Sequence, residues 1–187
     1  DDRAHATVDL TLAPNGTLYL SDSIAPVIWR LSPGADQLDK LIDDARFRSL
    51  QGLALSKDAT ALFVADYALG LFRIDVATGN ITALSTPPGS TLIGIDGLAR
   101  DGSQLIAVQN GVNPTRVLAI DLDENHSLTS VHELAAALPK ITDPTLGYVD
   151  DGQFTFIADA GWRYFMPGKS PPVEGRAVPV LSISLNP

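Results

Sequence analysis

The chain contains no cysteine, so neither disulfides nor thiolate chemistry enters its design, although that absence leaves the compartment open. It also lacks any basic run, since 13 Lys and Arg stand against 22 Asp and Glu for a net charge of −9. Nucleic-acid binding draws its affinity from counterions released by clustered Lys and Arg, and is excluded on that ground. The apolar runs are strand-length and fall well short of the roughly 20 residues of a membrane helix, so no membrane partner is expected. The three histidines, His5, His126 and His132, lie far apart and form no metal-type cluster. No Gly-x-Ser-x-Gly elbow occurs, which leaves a serine nucleophile without support. The chain opens on Asp1, with no Met and no visible signal peptide, which leaves room for a removed upstream segment.

What is present is a repeat. Ser49 to Gly79 holds an apolar run, Leu50 to Leu55, a turn at Lys57-Asp58-Ala59, and a second run ending on Asp66. An alternating run from Leu71 to Ile74, a turn over Asp75 to Gly79, and a fourth run at Ile81 to Leu84 complete the unit. Short β-rich runs between Gly, Asp and Asn turns are the mark of antiparallel strands. The same unit fits the chain three more times, with turn residues Asn15, Asp58, Asp101 and Asp151. Its second strand ends on Asp22, Asp66, Asn110 and Asp159, a spacing of 44, 44 and 49 residues. The third strand recurs at Val27 to Leu31, Leu71 to Ile74, Arg116 to Ile120 and Val178 to Ile183. A period in the forties with four strands per unit defines propeller blades, so the fold class is all-β, with blades at about 5–47, 48–91, 92–139 and 140–187 of a single domain.

The units differ in detail. Leu38 to Ile42 reads as an outer strand rather than a helical turn, whereas VHELAAALP, from Val131, reads as a short helix in a connection. Unit four inserts AGWRYFMPGKSPPVEGRA after Asp159, the composition of a surface loop beside a ligand site. Pro187 follows the third strand of that unit, and no fourth strand is visible. Four blades can close a ring, but propellers of this repeat type more often have six. The expectation is therefore the C-terminal part of a six-bladed propeller, incomplete at its N-terminus, because an unclosed ring exposes strand edges.

These motifs resemble the gluconolactonase family, also called the regucalcin or senescence-marker family, and more loosely the strictosidine-synthase-like, paraoxonase and NHL-type propellers. The resemblance rests on APNGTLYLSDS (13–23), SLQGLALSKDATALFVADY (49–67) and IDGLARDGSQLIAVQNG (95–111). It implies a divalent metal, calcium or zinc, held in a central tunnel by a Glu, two Asn and an Asp. Asp96 in Ile95-Asp96-Gly97-Leu98 matches the family's Asp motif. Gln51 in Gln51-Gly52-Leu53 stands where the family has Asn, with the same amide oxygen on a longer side chain. The second Asn position falls on Val8, which cannot bind metal, and strand alternation points the adjacent Asp9 to the opposite side. The Glu would lie upstream of Asp1. A strictosidine-synthase-like condensation would need a tunnel Glu that this sequence does not offer.

The activity implied is metal-assisted hydrolysis of a sugar lactone or related cyclic ester, a small-molecule substrate, with Asp96 as metal ligand and catalytic carboxylate. The alternative is a propeller that has lost its metal and binds a small molecule or protein. Each candidate has a plainer reading: Asp96 as a strand-end Asp bonded to amides, and Gln51 as a polar tunnel residue. Asp22, Asp66, Asn110 and Asp159 recur in every unit and read as turn caps, with Asn110 the exception that belongs to a ligand site. His5 lies near the start of an inner strand and could face the tunnel mouth. Trp162, Arg163 and Tyr164, with Phe165, could cover a bound ligand or pack on their own blade. Trp29 and Phe72 occupy matching third-strand positions and read as core between blades. The resemblance and the lack of cysteine fit a bacterial periplasmic or secreted protein.

Overall fold

The structure is a computed structural model that describes residues 2–166, 168–169 and 177–186. Four antiparallel sheets follow one another along the chain. The first holds β1 (Thr7–Leu12), β2 (Leu18–Asp22), β3 (Val27–Leu31) and β4 (Asp39–Asp43). The second holds β5 (Leu50–Leu55), β6 (Ala61–Asp66), β7 (Gly70–Asp75) and β8 (Ile81–Ala83). The third holds β9 (Ile95–Asp101), β10 (Gln104–Gln109), β11 (Arg116–Leu122) and β12 (Leu128–Ala136). The fourth holds β13 (Gly147–Asp150), β14 (Gln153–Ile157) and β15 (Val180–Ser184). Each strand pairs with its sequence neighbours, and the first strand of every sheet lies at an edge beside the first strand of the next. This is a β-propeller arrangement of four blades.

The blades stack through three apolar layers, as strand alternation requires. Leu53, Leu55, Leu62, Val64 and Ile74 of blade two meet Tyr19, Ile28 and Ile42 of blade one. Phe63 and Ala65, on the opposite face of β6, meet Leu98, Leu105 and Leu118 of blade three. Ile106, Val108 and Val117 then meet Phe154 and Phe156 of blade four. The other face of blade one carries Leu10, Leu12, Leu18, Leu20, Trp29 and Leu31, none of which belongs to these three layers.

The outer strand expected at Leu38 to Ile42 is β4. The helix expected at VHELAAALP is not formed: β12 runs to Ala136, with Glu133 opposite Leu118 and Ala135 opposite Val117. Pairing with β11 and burial of Leu134 and Ala135 against the third layer outweigh a helix preference of a few tenths of a kcal/mol per residue. Phe72 packs between blades one and two, edge-on to Phe47 at 5.2 Å. Trp29, at the matching position, instead faces away from blade two, with the His5 ring at 5.4 Å and Lys40 Nζ at 5.8 Å. Of the insertion in unit four, Trp162–Tyr164 form one 3-10 turn, and residues 167 and 170–176 lie outside the described residues. Among the described residues, no helix is long and apolar enough to cross a membrane.

Candidate functional site

The repeat places an Asp or Asn where the second strand of each blade ends, and those side chains divide into two kinds. Asp22 is fully buried and accepts the amides of Ala6, Ile24 and Ala25 at 2.9–3.1 Å. Asp66 does the same for Arg48, Ser49, Ala68 and Leu69. Both carboxylates therefore close their own blade by gripping the segment that enters its inner strand. Asn110 bonds to neither its own entry segment nor its own loop. Its oxygen accepts the Tyr67 hydroxyl of blade two at 2.9 Å, and its amide donates to the Pro144 carbonyl of blade four at 2.9 Å. Asp159 pairs with Arg163 through two bonds of 2.6 and 2.9 Å.

Asn110 borders a cavity of about 480 Å³ at the axis, which Val8, Gln51, Tyr67, Asp96, Asp143 and Trp162 line with it. Asp96 is the second residue of β9, and two features hold that strand's entry in place. Gln109, fully buried, donates to the carbonyls of Thr91 and Ile93 at 2.9 and 2.7 Å. Gly94, at φ 77°, lies so close to Gly111 that a Cβ would stand 2.7 Å from the Gly111 Cα. Only glycine meets both demands.

Burial pushes the Asp96 carboxyl above the usual carboxylate range. The Thr145 hydroxyl opposes that by donating to Oδ2 at 2.6 Å, the charge of Asp143 adds to it, and a hydrogen bond with Asn110 opposes it again. Burial likewise raises the Tyr67 phenol, reinforced by the charges of Asp96 and Asp143. Gln51 donates to the Ser49 hydroxyl at 3.0 Å, which leaves its amide oxygen without a donor among the described residues. Asp143 accepts the Trp162 amide at 2.5 Å. The cavity thus gathers two carboxylates and several neutral oxygens. Among the described residues, no group of three or more His, Cys, Asp or Glu converges.

Of the residues singled out in the sequence, Asp96, Gln51, Asn110 and Trp162 line this one cavity. His5 is not among its lining residues; Nδ1 lies 2.6 Å from Asp22 Oδ2. Arg163 is likewise outside the lining, paired with Asp159 and stacked on the Tyr164 ring at 4.6 Å. Val8 lines the cavity, while Asp9 turns toward blade two and accepts the Leu53 amide at 2.8 Å. Asp143 and Thr145 carried no motif, and Tyr67 closed the motif at 49–67 without being singled out. The one signal for Asp143 was its place just before the inner strand of blade four, where the repeat is least regular.

No protein family matches this sequence, and no curated protein matches it. Solved structures do match its fold. The nidogen/laminin complex aligns with a TM-score of 0.64 at 13% identity, over 97% of this chain and 77% of that one. The calcium-binding protein regucalcin of Agrobacterium tumefaciens aligns at 0.59 and 15% identity, over 95% and 60%. A streptogramin B lyase aligns at 0.58 and 16% identity, over 81% of this chain and 48% of that one. Likeness at these identities defines the class, a β-propeller. Within that class, its structural neighbours include a regucalcin, lyases and a sugar dehydrogenase.

Proposed function

We propose that the axial cavity hydrolyses a small cyclic ester of the sugar-lactone type. The observation that carries this is Asp96, a carboxylate raised in pKa by burial and by Asp143 within a cavity of oxygen donors. A carboxylate poised upward is a better base near neutral pH than an ordinary one. Ionised Asp96 takes a proton from a water molecule as the water oxygen bonds to the lactone carbonyl carbon. The ring C–O bond then breaks, and the departing alkoxide takes that proton back from Asp96, leaving an open hydroxy acid.

The donor set also fits a hard cation. Asp96 and Asp143 supply carboxylates and Gln51 a free amide oxygen, and no His or Cys lines the cavity. Oxygen-only donors suit calcium rather than zinc. A divalent cation bound there would polarise the lactone carbonyl and stabilise the charge developing on its oxygen. Val8, apolar in that lining, favours a second reading in which the cavity binds a small molecule without turning it over.

The test is hydrolysis of a panel of aldonolactones with calcium, with zinc, and with chelator, beside Asp96→Asn. Calcium-supported turnover that chelator abolishes and the variant lowers by about 10²–10⁴-fold is expected. A folded protein with no turnover under any metal overturns the hydrolase and leaves the binding module.

A further inference from the structure

We propose a second ligand site, at the other end of the blade axis, for an organic anion with an apolar body. A cavity of about 310 Å³ is lined there by the inner strands of all four blades, including Asp9, Leu10, Leu12, Lys57, Arg100 and Tyr148. Lys57 lies in the turn after β5, and Arg100 lies near the end of β9. Both also line an adjoining cavity of about 370 Å³ between blades two and three.

Six of the other ten described Lys and Arg are spent on carboxylates. Arg3, Lys40, Arg46, Arg116 and Arg163 each face a carboxylate within 4 Å, as does Arg30. Lys57 has no hydrogen bond or ion pair among the described residues, and Arg100 has only one, from Nη1 to the Gly102 carbonyl at 3.1 Å. Lys57 and Arg100 both line the axial cavity and face no carboxylate within 4 Å among the described residues. They thus bring two positive charges to one concavity, with Asp9 as the carboxylate of the axial lining.

Of the carboxylates nearby, Asp58 and Asp123 are held by local donors. Asp58 accepts the Ser56 hydroxyl at 2.5 Å and the Thr60 amide at 3.2 Å. Asp123 accepts the amides of Asn125 and Ser127 at 2.9 and 2.8 Å. Glu124 borders only the adjoining cavity, which directs the anion to the axial side. There Asp9 is held by the amides of Leu53 and Leu10.

The axial cavity supplies apolar surface as well. Leu10, Leu12 and Tyr148 line it while 58%, 64% and 61% exposed. These side chains give the cavity an apolar wall beside its two cations. The ligand class is therefore a carboxylate or similar anion between Lys57 and Arg100, with an apolar chain or ring along Leu10, Leu12 and Tyr148.

Octanoate is the probe, titrated by calorimetry beside 1-octanol, with Lys57→Gln, Arg100→Gln, the double variant, and Lys140→Gln as the remote control. Saturable octanoate binding is expected, weakened about tenfold by each single substitution and further by the double. Lys140→Gln should leave it unchanged, and octanol should not distinguish the variants. Far-UV circular dichroism and melting confirm folding, and Lys57, exposed in a turn, provides an arm independent of any disturbance at Arg100. Octanoate binding that survives in the double variant, equal binding of octanol and octanoate, or no saturation at millimolar octanoate would each overturn the proposal.

Discussion

The carboxylate of Asp9, on the inner strand of blade one, accepts the Leu53 amide of blade two at 2.8 Å. One charged side chain thus bridges two blades at the axis. Its burial carries a cost: desolvation outweighs the Leu53 and Leu10 amides, and the pKa rises to about 6.

The sign of the resulting pH dependence follows. Folded Asp9 holds its proton more tightly than unfolded Asp9, so the folded state is favoured below about pH 4. That advantage is lost as pH rises through about 6. A difference of about two pH units corresponds to roughly 3 kcal/mol. Asp9→Asn keeps an oxygen for the Leu53 amide and removes the charge. Denaturant unfolding at pH 4 and pH 7.5 should show the stability loss in the parent chain and a flatter profile in the variant. An unchanged pH slope would show that Asp9 is ordinary in the folded state.

Asp96 is tuned in opposite directions by two neighbours, and each can be removed. Asp143→Asn takes away a like charge and should lower the Asp96 pKa, while Thr145→Val takes away a donor to Oδ2 and should raise it. Carboxyl carbon chemical shifts followed by NMR against pH read both shifts without any substrate. Shifts of the same sign in the two variants would contradict the geometry.

Blade spacing is set at Gly52. A Cβ there would stand 2.7 Å from the Gly97 carbonyl carbon and 2.8 Å from the Leu98 Cβ, both on the inner strand of blade three. Backbone cannot yield as a side-chain tip can, so Gly52→Ala should cost about 3 kcal/mol or more. Gly34→Ala is the comparison: it has open space around it but φ 78°, and should cost only about 1 kcal/mol. Chemical denaturation ranks the two, and equal losses would refute the steric argument.

Asp22 closes blade one from a fully buried position. Burial alone would raise its pKa, yet the amides of Ala25, Ala6 and Ile24, together with His5, pull it down to about 2. Its contribution is present above about pH 4 and is lost as pH falls toward 2. Asp22→Ala should cost about 3 kcal/mol at pH 7, because three amides lose their acceptor, and roughly 1–2 kcal/mol less at pH 2.5, where protonation has begun to weaken the parent. Thermal melts at the two pH values give the comparison.

The repeat was legible because each blade writes its turns and its strand-ending Asp or Asn in one place. Asp22 and Asp66 behave as that pattern implies. The strand at Val131 to Ala136 was not legible, since its sequence carries a helix preference and only pairing with β11 decides against it. Asp96, Gln51 and Asn110 were marked by motif, the last through Gln109-Asn110-Gly111. Asp143 and Thr145 were not, because what brings Asp143 to the cavity and Thr145 to Asp96 is the stacking of blade four on blade three. Trp29 and Phe72 share a sequence position, but what each faces depends on the neighbouring blade, which no local pattern records.

The self-closing carboxylates bear on how such a chain can be rearranged. Asp22 and Asp66 fasten the entry of their own unit, so a segment copied or excised at the 44-residue period takes that fastener with it, although loss of unit one strands the Leu53 amide that Asp9 holds. Asn110 reaches outward as well, because besides its bond to Asp96 it is tied to Tyr67 on one side and Pro144 on the other. Shuffling units one and two would conserve their closures, whereas moving the third would sever both its neighbours at once. A closure that travels with its unit and one that depends on its neighbours thus differ by one exchange of Asp for Asn.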